Sequence, residues 1–110
     1  MNYDWPAAKS RLKSFADLEP GWDTYNAPTP SELSIQNSLL FLEALESINK
    51  PPDYFLPTSD ESIIFEIDNG EREWDFYNDG VVTFLGKENG EVVYFKGWED
   101  FSGPQTYSLT

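Results

Sequence analysis

Carboxylates are the side chains of this sequence with the greatest capacity for chemistry, and they are concentrated in residues 65–75, FEIDNGEREWD. The Asn-Gly pair in this segment is a strong signal for a two-residue turn and predicts a β-hairpin. Its register places Glu66 opposite Glu73, although like charges directly opposed on a sheet repel each other. Asp68 falls opposite Glu71 in the same way. One face of this hairpin is therefore predicted to carry five carboxylates: Glu66, Asp68, Glu71, Glu73 and Asp75.

A carboxylate pair such as Glu66 and Glu73 could act as general acid and general base in glycoside hydrolysis. Adjacent positions on an open sheet, however, provide neither a cleft nor the desolvation that would separate their pKa values. The chain has no histidine and no cysteine, which excludes Ser–His catalysis and thiolate metal sites. Asp68 and its neighbours lack EF-hand spacing, and no glycine-rich phosphate-binding motif occurs. We therefore expect no catalytic residue, no cofactor and no metal, so the protein is not predicted to be an enzyme.

The charge balance of the chain indicates the sign of the charge that its partner carries. The chain has 7 basic and 20 acidic residues and a net charge of −13. Residues 1–50 contribute −3 and residues 51–110 contribute −10. Such a surface repels nucleic acid and anionic membranes and attracts cationic proteins. We expect a basic protein surface as the partner, with no direct binding of nucleic acid or membrane; the alternative is that the acidity only confers solubility.

Three functions are compatible with this pattern. The first is a non-enzymatic acidic inhibitor that occupies the basic site of a nucleic-acid-binding enzyme, by charge complementarity or by mimicry of DNA. The second is an antitoxin or immunity protein that neutralises a basic toxin through the same surface. The third is a small-ligand or carboxylate-based hydrolase module that uses the loop between Trp22 and Tyr25.

Two helices are predicted before residue 51. Apolar residues recur every three or four positions over residues 5–18, which is the period of a helix with one apolar face. The second helix is predicted to begin with Thr29 as N-cap, with Pro30 in its first turn and Glu32 closing a capping box. It is predicted to end near Asn49, ahead of a proline-rich linker over residues 51–57.

From residue 63 the apolar period changes to two, which predicts a four-stranded antiparallel meander. The turn lengths set its register and place Phe65 opposite Trp74, and Trp74 opposite Phe84. Across the Asn89-Gly90 turn they place Phe84 opposite Phe95. This last pairing puts Tyr94 on the acidic face as a partner-binding residue. Leu85, Val92 and Tyr94 are also a possible homodimer patch.

The predicted fold is α+β, with two N-terminal helices packed on one face of a four-stranded antiparallel sheet. The length of 110 residues is that of one domain, with a helical half at 1–50 and a sheet half at 51–110. Cysteine is absent, and neither a signal peptide nor an apolar stretch long enough to span a membrane is recognised. A cytoplasmic location is therefore expected.

The stretch GWDTYNAPTPS, residues 21–31, resembles a G-W-D-x-Y-x-A-x-x-P-S element that recurs in small, largely uncharacterised bacterial and mobile-element proteins. In those proteins the element likewise precedes a long helix and a short β-meander, and the resemblance extends over residues 18–73. It implies no established activity. Trp22, Asp23 and Tyr25 are predicted to anchor this loop, with Asp23 either capping or hydrogen-bonding its backbone. By size, acidity and α+β architecture the chain also resembles phage-encoded inhibitors of bacterial defence, of the anti-CRISPR type.

Overall fold

The computed structural model describes residues 3–24, 26–101 and 103. It is α+β, as predicted, with two α-helices and one antiparallel sheet, but the sheet has five strands rather than four. The strands follow one another in the order of the sequence, as an uninterrupted meander. The elements are α1 (Trp5–Ser14), a 3₁₀ turn (Phe15–Asp17), α2 (Glu32–Ser47), β1 (Tyr54–Thr58), β2 (Ser62–Ile67), β3 (Arg72–Tyr77), β4 (Val82–Glu88) and β5 (Glu91–Trp98).

Both helices have side-chain caps at their N-termini. In α1, Asp4 accepts a hydrogen bond from the Ala7 amide at 3.0 Å. α2 begins later than predicted, because Ser31, rather than Thr29, is its N-cap: the Ser31 hydroxyl accepts from the Ser34 amide at 3.0 Å. The hydroxyl of Thr29 instead donates to the carbonyl of Leu18. It therefore fastens the loop that precedes α2 and does not cap the helix.

β1 occupies part of the segment that was predicted to be a linker, so that prediction was wrong. The strand pairs with β2 and places Phe55 opposite Phe65 and Pro57 opposite Ile63. Proline in this segment argues against a central strand, since it removes a donor from the ladder. β1 is an edge strand, and edge positions are where sheets tolerate proline.

The predicted register is confirmed from β2 to β4, where Phe65 opposes Trp74 and Trp74 opposes Phe84. Between β4 and β5 the prediction was wrong beyond the turn. Asn89 and Gly90 have positive φ angles of 53° and 82°, as the predicted turn requires, but the register then shifts. A bulge after Val92 adds one residue to β5, so Phe84 opposes Lys96 and Leu85 opposes Phe95.

The core lies between α2 and the sheet. Phe41 of α2 is fully buried, and its ring centroid lies 5.2 Å from Phe65, 4.8 Å from Trp74 and 5.4 Å from Phe76. At the end of β5, Trp98 stacks on Trp74 with 5.4 Å between centroids. α2 contacts β2 and β3, whereas large apolar side chains of β5 stay exposed. The helices therefore cover the first part of the meander better than its last strand.

Candidate protein-binding surface

The face of the sheet opposite Phe41 is called here the outer face. Two rows of side chains cross it from β1 to β5, as the strand register defines. The first row consists of Tyr54, Glu66, Glu73, Leu85 and Phe95, and the second of Leu56, Ile64, Asp75, Thr83 and Gly97. The predicted opposition of Glu66 to Glu73 is confirmed. Three of the five predicted carboxylates therefore lie on the outer face.

Glu66 is not an isolated charge on this face. It forms a hydrogen bond with the hydroxyl of Tyr54, its neighbour on β1. This bond favours the protonated phenol and raises the pKa of Tyr54 to about 12; burial and the carboxylate charges nearby add to the effect. Because β1 was not predicted, neither was this partner of Glu66.

Glu73 and Asp75 relieve their repulsion in two ways. The ammonium of Lys87 lies 3.3 Å from Oε1 of Glu73, on the same face. Asp75 is only 8% exposed, and burial, followed by a hydrogen bond with Glu73 and the charge of that carboxylate, raises the pKa of Asp75 to about 8. The raised pKa favours the protonated form of Asp75, whose carboxyl group then donates to Glu73.

Asp68 and Glu71 face each other across the Asn69-Gly70 turn as predicted, with the Glu71 amide donating to the Asp68 carbonyl at 3.2 Å, but they lie beyond the ladder, which ends at Ile67 and Arg72. Asp68 has a positive φ of 56°, and its Oδ2 lies 3.1 Å from Nζ of Lys50 and 3.3 Å from Nε of Arg72. Its charge is thus balanced by the protein itself. Glu71 is exposed at the tip of the turn.

An exposed apolar run, residues 92–95, is the most prominent feature of β5. Val92, Val93, Tyr94 and Phe95 are 55%, 60%, 49% and 62% exposed. Val92 and Phe95 lie on the outer face, opposite Lys87 and Leu85. The predicted face of Tyr94 was wrong: because of the bulge it opposes Gly86 on the other face, with its ring 5.7 Å from that of Phe84.

Sequence reasoning missed Val93 and Phe95 as exposed residues, because it placed Phe95 in the core opposite Phe84. The available signal was the position of β5 as the last predicted strand, since a terminal strand of a meander has one unpaired edge. The run also contains two aromatic residues, which are the types enriched at protein interfaces. It therefore extends the candidate surface from the outer face onto the β4–β5 hairpin.

Exposed acids lie at both ends of the apolar run, and we call them the border acids: Glu88, Glu91, Glu99 and Asp100. Two lysines of the same hairpin are directed toward their own neighbours. Lys87 pairs with Glu73, and the ammonium of Lys96 lies 5.1 Å from the ring centroid of Trp98. The exposed charge around the apolar run is therefore negative.

The loop that contains Trp22 and Asp23 is closed by its own hydrogen bonds. The indole of Trp22 donates to the carbonyl of Pro28 at 3.1 Å, and Oδ1 of Asp23 accepts from the amide of Ala27 at 3.0 Å. The predicted bond from Asp23 to the loop backbone is thus confirmed. Tyr25, the third predicted anchor, lies outside the described residues. These contacts are those of a structural loop.

An open cleft of about 340 Å³ lies elsewhere, at the β3–β4 turn, and is lined by Asp60, Glu61, Tyr77, Asn78 and Asp79. Asn78 has a structural role: its side-chain oxygen accepts from the amide of Ser31 at 3.0 Å, and its carbonyl accepts from the Ser31 hydroxyl at 2.8 Å.

Within residues 3–24, 26–101 and 103, no three acidic side chains are grouped closely enough to hold a metal ion.

Comparison of the chain with protein-family models, curated proteins and solved structures found no match. In the part of the chain that the structure describes, neither helix has the length and apolar character needed to cross a membrane. The outer face and the β4–β5 hairpin are therefore the features of the chain that bear on its function.

Proposed function

We propose that this protein is a non-enzymatic binding module that occupies a basic surface of a nucleic-acid-binding protein and so inhibits it. The observation that carries the proposal is the exposed apolar run of β5, placed between exposed border acids on a molecule of net charge −13. A surface of this kind combines the two parts of a protein interface, an apolar centre and a charged rim.

The apolar centre supports protein binding in preference to a plain solvated sheet. Scattered exposed apolar residues are common on monomers, but contiguous ones mark interaction sites. Val92 and Phe95 are 55% and 62% exposed and adjoin Leu85 on the outer face, while Tyr94, 49% exposed, adds apolar surface on the opposite face of the same hairpin. Tyr and Phe supply large contact areas at a small cost in side-chain entropy.

The charged rim supports a basic partner. Charge complementarity accelerates association and excludes partners of the same sign. Proteins that bind nucleic acid carry clustered Lys and Arg residues, because their affinity comes largely from neutralising phosphates. A protein that places carboxylates in such a cluster competes directly with the natural polyanion and needs neither a catalytic residue nor a cofactor.

The proposal is tested by immobilising the protein and applying a lysate of the organism that encodes it. Retained proteins are expected to be basic, to elute progressively as salt is raised, and to be displaced by duplex DNA. Identification of the eluted protein then separates a defence nuclease from a toxin. A retained protein that resists both salt and DNA would contradict the proposed inhibition.

A matched pair of variants locates the binding surface in the same assay. Phe95→Lys changes the apolar run, and Leu40→Lys makes the same type of change on α2, where Leu40 is 43% exposed. We expect the first variant to lose the retained protein and the second to keep it. Equal retention by both variants would exclude the β4–β5 hairpin as the binding surface.

A further inference from the structure

The unpaired edge of β5 has properties beyond those of an exposed apolar surface. β5 is the last strand of the sheet and, among the described residues, pairs only with β4. Its other side therefore carries a row of backbone donors and acceptors that can template a further strand. Its regular part, from Tyr94 to Trp98, extends over about 17 Å, which is enough to pair with the centre of an extended segment.

We propose that this edge takes up an extended segment of the basic partner as a sixth strand, with apolar residues at the centre of the segment and Lys or Arg at its ends. This inference rests on the proposed function and specifies how that surface holds its partner. In such strand addition, main-chain hydrogen bonds supply affinity and alternate side chains supply specificity.

The distribution of charge along β5 defines the segment. Glu88 and Glu91 lie at the turn before the apolar run, and Glu99 and Asp100 follow the end of the strand. A segment laid along β5 thus meets carboxylates at both of its ends and apolar side chains between them. A second copy of this chain fits less well, because each copy brings a net charge of −13.

The two edges of the sheet differ in a way that supports the inference. β1 forms the opposite edge and contains Pro57, and proline is one of the devices by which sheet edges avoid pairing. β5 contains no proline and presents four consecutive apolar residues, although its bulge and Lys96 are also features that limit edge pairing. After the bulge at Val93, its pairing with β4 is regular from Tyr94 to Trp98, so this half of the edge is suited to strand addition.

The test uses the full chain, labelled for NMR, and synthetic peptides of eight residues. The probe has two lysines at each end and alternating threonine and valine at its centre. One control peptide replaces the lysines with glutamates. Two further peptides carry N-methyl groups on the odd or on the even central residues, because only one of these sets of amides can face β5 in an antiparallel or a parallel ladder.

We expect the lysine peptide to shift the amide resonances of β5 and to slow their hydrogen exchange about tenfold at ten times its Kd. The glutamate peptide is expected not to bind. One N-methylated peptide should bind like the parent and the other should not. This difference is the signature of main-chain pairing, because docking through side chains alone would not distinguish the two sets of amides.

The outcomes separate the inference from the proposed function. If the lysine peptide binds and both N-methylated peptides bind equally well, strand addition is wrong, but the proposal of a basic partner is retained. If the lysine and glutamate peptides bind equally, the preference for a basic partner is wrong. Absence of β5 shifts at millimolar peptide, or a dimeric mass with β5 amides already protected, would overturn the inference.

Discussion

Asp75 is the residue that makes an acidic outer face compatible with folding. Its carboxyl is 8% exposed and lies next to Glu73, so two negative charges there would be costly. Retaining a proton on the pair removes one charge and supplies a hydrogen bond, while Lys87 balances the other. The distinctive feature of this face is therefore a buried acid whose raised pKa favours its protonated form.

The pH dependence of stability follows from the raised pKa of Asp75. The folded carboxyl keeps its proton up to about pH 8, whereas the unfolded one loses it near its ordinary value of 3.8. The folded state binds more protons between these values, so this contribution to the free energy of unfolding is full below pH 3.8 and is lost as pH rises to about 8. Urea denaturation at a series of pH values measures it.

Asp75→Asn is expected to remove this dependence, because the amide keeps the size of the side chain and a donor for Glu73 but cannot ionise. We expect the variant to gain about 1–3 kcal/mol in the free energy of unfolding at pH 8 relative to wild type. Asp17→Asn, at an exposed acid in the 3₁₀ turn, is the control and should leave the slope unchanged. An unaltered slope in Asp75→Asn would show that another group titrates.

At the scale of elements, the start of α2 depends on Ser31. Its hydroxyl accepts from the Ser34 amide and donates to the Asn78 carbonyl, so it caps the helix and joins it to the β3–β4 turn. Ser31→Ala should therefore lower the free energy of unfolding by about 1–2 kcal/mol in chemical denaturation. Ser47→Ala, at the exposed end of the same helix, should cost less. A larger loss for Ser47→Ala would contradict the assigned cap.

The elements whose position was set by local chemistry could be predicted from the sequence. Turn residues fixed the register from β2 to β4, and that register correctly placed Glu66, Glu73 and Asp75 on one face. The choice between Thr29 and Ser31 as cap could not be made, since both are good capping residues, and only contacts with a distant turn distinguish them.

Features that depend on the whole sheet could not be predicted. The proline-rich composition concealed β1, and with it the hydrogen bond between Tyr54 and Glu66. The Asn89-Gly90 turn determines pairing only beside itself, so the bulge after Val92 reversed the predicted faces of Phe95 and Tyr94. With these positions corrected, the candidate surface is the apolar run of β5 and no longer the group of carboxylates on the first hairpin.

For the whole molecule, self-repulsion at a net charge of −13 predicts how stability responds to salt. Compaction brings the excess negative charges together, and added salt screens them. The free energy of unfolding, measured by urea denaturation, is expected to rise from low to physiological ionic strength. A fall would mean that the ion pairs, such as that of Lys9 with Glu46, outweigh the repulsion.

The proposed binding surface on the β4–β5 hairpin is tested by two triple variants with the same change in net charge, each titrated against the captured partner. One variant reverses the border acids Glu88, Glu91 and Glu99 to lysine at the ends of the apolar run, and the other reverses Asp17, Glu19 and Glu43 on the helical side; all six acids are exposed. We expect Kd to rise by about a hundredfold in the first variant and by less than about tenfold in the second, with both variants folded. Equal losses would show that net charge alone governs binding and would contradict a specific surface on the sheet.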